Sequence, residues 1–388
     1  MPFEKQEYKD RLKRVKISMQ KKGIDLLVSQ DPANMNYLTG YDAWSFYYAQ
    51  CVLVHINEDE PICFVRAQDG GGAYIKTYLK DKNIIEYDEK YIHTWPLHPY
   101  QHLVEIIKKR KWDNLNISLE MDSHYFTAFC YQTLKNGLPN AKFKDAERLV
   151  NWVRVVKSNK EIKLMQSAAR IVESGMKTAF KSINPGVRQC DAVADIQKAL
   201  FNGTKEFGGD YPSIATLLPT GKGTSASHLT HTDEKFVSGE ATIIEIAGAY
   251  KRYHCPMART VLLGKKDQKK IDTMKATNEA LDAGIFATKP GNTVDDVAQK
   301  FWGVLDKYKI KKDSRTGYSI GIGYPPDWGE QTFNISKGDK TILQPNVTFH
   351  MIAVMQFGEW GVEASEAVRV TENGSELFCN LSRELHIK

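Results

Sequence analysis

The chain has 388 residues, 42% of them hydrophobic, 26% charged and 11% aromatic. At ~100–200 residues per domain, that length implies two or three domains with cores of their own, and the near-average composition excludes collagen-like, low-complexity and wholly disordered chains. Fifty-three basic against 47 acidic residues leave a net charge of +6 spread along the chain, without the dense one-sided basic pattern of a nucleic-acid partner.

The N-terminus is charged from Glu4 onward and lacks an apolar stretch, so no secretory leader is expected. No apolar run approaches the ~18 residues that span a bilayer, so no membrane partner is expected either. Six cysteines at 51, 63, 130, 190, 255 and 379 form no CxxC pair, which suits reduced thiols and a cytoplasmic protein. Residues 4–22 carry Tyr8, Leu12, Val15, Ile17 and Met19 near one face, predicting an amphipathic helix that Gly23 ends. Residues 24–29 predict a short buried strand, and Asp31-Pro32 reads as a turn. Strands are expected at 51–56, 61–66 and 116–120, with helices at 100–109 and 123–135; Gly70–Gly72 reads as a turn. Strands alternating with helices predict an α/β domain over residues 1–155. A boundary near 155 leads into a long helix over 160–182, then a helix at 191–201 and strands with Gly/Pro punctuation from 210 to 263. Helices at 267–287 and 293–309 and strands from 318 onward complete an α+β domain, residues 156–388.

Chemistry concentrates in that second half. Glu245 sits in the middle of an apolar strand, ATIIEIAGA, where an isolated carboxylate is costly to bury. Two readings stand: an ion pair with Arg252 or Arg259, or a carboxylate facing a cleft. His350 lies equally deep in VTFHMIAVM, and His228, His254, Glu363 and Glu366 add further polar candidates. Glu363 and Glu366, three apart in a strand, point to opposite faces, so one of them lines any cleft. Phosphate loops, HExxH, GxSxG and GxGxxG motifs are absent. These residues alone predict a two-domain, hydrolase-like protein with a carboxylate/His cleft within 210–370.

Residues 211–264 (YPSIATLLPTGKGTSASHLTHTDEKFVSGEATIIEIAGAYKRYHCPMARTVLLG) resemble the creatinase/prolidase/methionine-aminopeptidase superfamily, the pita-bread fold, and DPANMNYLTG at 31–40 resembles the N-terminal domain of its creatinase/prolidase branch. Metallopeptidases of this fold bind two metals through Asp, Asp, His, Glu and Glu. By register, Glu245 takes the first Asp position, Pro256 the second, Tyr318 the His, His350 a Glu, and Ser365 or Glu366 the last Glu. The resemblance therefore implies no metal and no cofactor. GDYPSIATLLP, RYHCP, YPPDWGE, TFH and the tail SRELHIK resemble the ectoine hydrolases in particular.

That resemblance implies hydrolytic opening of ectoine's cyclic amidine to an N-acetylated 2,4-diaminobutyrate, with a small zwitterion as substrate. A buried carboxylate is the natural partner of an amidinium. Glu245 would act as nucleophile or as base for water, His228 as proton shuttle, and Glu363 or Glu366 as partner of the amidinium; Glu366 is grouped with the catalytic residues. His254, His350, Tyr318 and Asp327 would complete the polar wall. Trp328, in the Pro-Pro loop YPPDW, would either stack on the amidinium or pack the loop. Trp44 and Phe46 would reach a neighbouring subunit's site, implying a homodimer. Rival readings are a creatinase-type guanidino hydrolase, although Ala258 stands where creatinases place a Glu, a metal-dependent Xaa-Pro peptidase or dimethylsulfoniopropionate lyase, and a non-enzymatic binding domain.

Overall fold

A computed structural model describes all 388 residues. The chain divides into two compact units, Met1–Arg154 and Val155–Lys388.

The first unit opens on α1 (Lys5–Lys21), β1 (Leu26–Ser29) and α2 (Pro32–Thr39), followed by β2 (Cys51–His55), β3 (Ile62–Arg66), α3 (Ala67–Lys76) and β4 (Ile84–Tyr87). It continues through α4 (Pro99–Lys109), β5 (Asn116–Leu119), α5 (Ala128–Gly137), β6 (Lys142–Asp145) and α6 (Leu149–Arg154). The six strands form one mixed sheet in the order β4-β3-β2-β1-β5-β6. Two expectations are corrected here. Asp31-Pro32 opens a helix instead of a turn: the Asp31 carboxylate accepts from the Ala33 N–H (2.8 Å) as N-cap while Pro32 fills the first turn, where its missing N–H costs nothing. Gly70–Gly72 lie inside α3, and a Cβ at Gly70 would fall 1.7 Å from a Glu86 carboxylate oxygen, so this side chain occupies the space that glycine leaves open.

The second unit contains α7 (Asn159–Ser182), α8 (Gln189–Asn202), β7 (Ala241–Tyr250), β8 (Tyr253–Leu262), α9 (Gln268–Ala287) and α10 (Val294–Lys307). It ends with β9 (Gly317–Tyr324), β10 (Asp327–Asn334), β11 (Thr348–Phe357), β12 (Trp360–Val370), β13 (Ser375–Leu377) and β14 (His386–Ile387). A sheet in the order β13-β12-β11-β9-β8-β14 carries β10 beside β9 and β7 beside β8. The capping box of Ser158 and Glu161 starts α7, which packs on β7 and β8. At that contact a Cβ on Gly248 would meet the Ala168 carbonyl at 2.1 Å, so the strand–helix spacing depends on glycine. Helix α9 covers β11 and β12, and their apolar faces form one core with α10.

The strands expected from residue 210 begin only at Ala241. Residues 210–240 instead form a loop with a 3-10 turn at Gly221–Ser225, pinned to β7 by isolated bridges of Leu217 to Glu245 and of Thr220 to Thr242. Their apolar residues cover the edge of β7, which explains the strand-like texture of this segment. The loop brings His228 to the sheet.

Candidate active site

Within the second unit, a cavity of about 190 Å³ opens between this loop and strands β7, β9, β11 and β12. Glu245, Glu363, His228, Tyr318 and Arg315 supply its polar wall, with apolar cover from Leu217, Ile243, Ile352 and Val354. Its volume falls below the ~300 Å³ at which drug-sized pockets begin, so it suits a small molecule.

Glu245 projects from β7 opposite Ala258 and is 8% exposed. No cation lies within ion-pair distance of it: Arg252 pairs with Asp210 (3.3 Å) and Arg259 with Glu366 (2.8 Å). Of the two readings of Glu245, the cleft is the one its position matches. Burial, reinforced by the charge of Asp327, pushes its carboxyl up to about 7. Glu363 enters from β12, buried, with Oε1 lacking any hydrogen-bond partner. Burial and the neighbouring Glu245 raise its carboxyl well above the usual range, against the opposing pull of Lys312. Lys312 is itself held down to about 8 by burial. Two buried carboxyls on one cavity, neither in an ion pair, make a site for a cationic ligand.

Alternation along β12 separates Glu363 from Glu366. Glu366 is not on the cavity wall. It accepts from Arg259 and lies 3.5 Å from Arg383, while Arg259 also donates to the carbonyls of Ser365, Leu381 and Ser382, tying the C-terminal tail to the sheet. His254 is also away from the cavity: Nε2 accepts from the Ser213 N–H (3.0 Å), Nδ1 donates to the Arg252 carbonyl (2.8 Å), and burial lowers its pKa to about 3. Trp328 is fully buried, its indole N–H donating to the Tyr318 hydroxyl (2.9 Å), so it packs the β9–β10 hairpin instead of meeting a ligand in the cavity. Asp327 caps its own turn through the Gly329 N–H and acts on Glu245 through its charge. His350 is one layer back, between Tyr318 (3.1 Å) and Ser365 (2.6 Å). Trp44 and Phe46 belong to the first unit, their rings 4.9 Å apart, Phe46 buried and Trp44 57% exposed.

Arg315 is a residue the motif-based reading missed. It immediately precedes the TGYSIGIGYPPDWGE stretch, stacks over the Tyr318 ring (4.6 Å from its centre) and donates to Asn334. A lone arginine next to a strand-forming glycine run was the available signal.

The positions that the resemblance assigns to two metals carry a donor set that does not fit them. Pro256 has no ligating atom. Tyr318, His350 and Ser365 use their polar atoms on one another, and nowhere do three His, Cys, Asp or Glu side chains converge as a metal cluster would require.

Comparison with known proteins agrees with the architecture. The Creatinase/Prolidase N-terminal domain matches residues 11–156 and Metallopeptidase family M24 matches residues 163–372. Ectoine hydrolase of Halomonas elongata is 42% identical, covering 100% of this chain and 99% of that protein. An uncharacterized hydrolase/peptidase of Sinorhizobium fredii is 38% identical over 100% of this chain and 98% of its own length. The prolidase from Thermococcus sibiricus superposes with a TM-score of 0.85 at 18% identity, covering 98% of this chain and 99% of that one, which establishes the pita-bread fold of the second unit beside the creatinase-like first. With both domains matched and a full-length relative above 40% identity, the chain belongs to the creatinase/prolidase superfamily of hydrolases, in metallopeptidase family M24.

Proposed function

We propose that this hydrolase opens the cyclic amidine ring of ectoine, giving an N-acetylated 2,4-diaminobutyrate, without a metal. The observation that carries this reading is the pair Glu245 and Glu363, buried on one small cavity with neither carboxyl in an ion pair. An amidinium supplies the missing positive charge and N–H donors for both carboxylates. Arg315, on the same wall, is placed to pair with the substrate's carboxylate. The full-length similarity to an ectoine hydrolase supports the same substrate.

In this scheme Glu363 holds the amidinium, and Glu245 attacks the ring carbon or takes the proton of an attacking water. With water as nucleophile, its oxygen bonds to the carbon between the two nitrogens as the C=N electron pair moves onto nitrogen. The C–N bond then breaks with its pair on the departing nitrogen, which is protonated through His228, and loss of the hydroxyl proton leaves the amide carbonyl. His228 borders the cavity from the exposed 226–230 segment, where exchange with solvent is easy. Trp44 and Phe46 would close the neighbouring subunit's cavity in a homodimer.

Incubating the protein with ectoine, creatine and an Xaa-Pro dipeptide, each with and without chelator, tests the proposal. Ectoine should be consumed at equal rates in both conditions. Turnover of the dipeptide alone, or ectoine turnover abolished by chelator, would overturn it.

A further inference from the structure

Four hydrogen bonds run behind the cavity in one connected line. The Ala258 N–H donates to Ser365 Oγ (2.6 Å), Ser365 Oγ meets His350 Nε2 (2.6 Å), His350 Nδ1 meets the Tyr318 hydroxyl (3.1 Å), and the Trp328 indole N–H donates to that same hydroxyl (2.9 Å). Donor and acceptor counting gives this line a direction. Ser365 is fully buried, and its Oγ already accepts from Ala258, so the hydroxyl hydrogen has one acceptor within reach, His350 Nε2. The reverse arrangement would strand that hydrogen in the interior, at a cost of about 1–3 kcal/mol. His350 must therefore carry its own hydrogen on Nδ1 and donate it to Tyr318. Burial and the nearby Arg259 keep this imidazole neutral, with a pKa near 3, so a single N–H is available. The Tyr318 oxygen then accepts twice, from His350 and from Trp328, and its own O–H is left with no acceptor in the line. Tyr318 lines the cavity that also holds Glu245 and Glu363.

We propose that Ser365 and His350 are positioning residues that hold Tyr318 as a one-way hydrogen-bond donor into the cavity, directed at the oxygen that forms on the substrate's reacting carbon. The inference rests on the ring-opening reading for its substrate, and on geometry alone for its direction. Positions that ligate metals in relatives thus become an organic substitute for one electrostatic task, stabilising charge that develops on oxygen. The phenol keeps its proton throughout: burial and the charges of Glu245 and Asp327 hold its pKa well above the usual tyrosine value.

Two measurements test it. Long-range ¹⁵N–¹H NMR of histidine-labelled protein, with His350 assigned by its loss in H350Q, reads the tautomer without any substrate. A Nδ1–H imidazole is expected, and a Nε2–H imidazole would overturn the proposal even if ectoine is the substrate. On ectoine, Y318F should lower kcat about 10²-fold, in the range of a lost oxyanion donor, with KM changed less than threefold. S365A should lower kcat about tenfold, S365T should restore it, and the Y318F/S365A pair should be no slower than Y318F alone, because both act through one hydroxyl. Losses that multiply, or Y318F at the wild-type rate, would refute it. If S365A does not fold, the Y318F rate and the tautomer still decide. A wild-type protein inert on ectoine would refute the ring-opening reading and leave the tautomer result standing.

Discussion

Glu245, Glu363 and Arg315 divide the candidate site by charge, two carboxylates against one guanidinium on the same small cavity. Their roles separate kinetically. Arg315→Met removes a contact made equally in ground and transition states, so KM for ectoine should rise about 10- to 100-fold with kcat nearly unchanged, as one charge-assisted pair of about 1.5–3 kcal/mol predicts. Steady-state kinetics checks this, and a fall in kcat at constant KM would assign Arg315 to the chemical step instead. The carboxylates were legible in sequence because Glu245 and Glu363 interrupt apolar strands. Arg315 was not, since nothing in local residue order shows that the loop before β9 brings this exposed arginine to the cavity.

The β11–β12 hairpin shows how one element serves two purposes. Its inner face delivers Glu363 to the cavity, and three residues later Glu366 pairs with Arg259 in the sheet interior. Glu366→Gln should therefore destabilise the protein by about 3 kcal/mol, because it leaves the buried Arg259 charge without its carboxylate. Urea denaturation reads that loss, and kcat/KM of the folded variant should stay within a few-fold of wild type. A stable, inactive variant would restore Glu366 to the chemistry. Period-2 alternation showed in the sequence that Glu363 and Glu366 part company. It could not show which faced the cavity, because that depends on what packs against each side of the sheet. Trp328 is the parallel case on β9–β10: its Pro-Pro turn was visible, but its burial against Tyr318 is a property of the closed hairpin.

For the whole molecule, the buried carboxyl of Glu245 ties stability to pH. Folding raises the Glu245 carboxyl from 4.5 to about 7, so the folded state holds a proton that the unfolded chain has lost. Its favourable contribution is complete below pH 4.5 and disappears as pH rises through about 7. Glu245→Gln, permanently neutral, should match wild type in stability near pH 4 and exceed it at pH 8 by on the order of 3 kcal/mol, while losing at least 10²-fold in kcat. Thermal melts across that range with activity assays check both, and a stability gap that widens toward acid would contradict the assigned direction. Periodicity and the ordered motif series were enough to read two domains and the pita-bread family resemblance, because each is written in local residue order. The assignment of Glu366, His254 and Trp328 to the interior, of Glu363 and Arg315 to the cavity, and of a direction to the Ser365–His350–Tyr318 line came only from tertiary structure. Burial and hydrogen-bond partners are set by segments that lie far apart in the chain and meet only when the sheet closes.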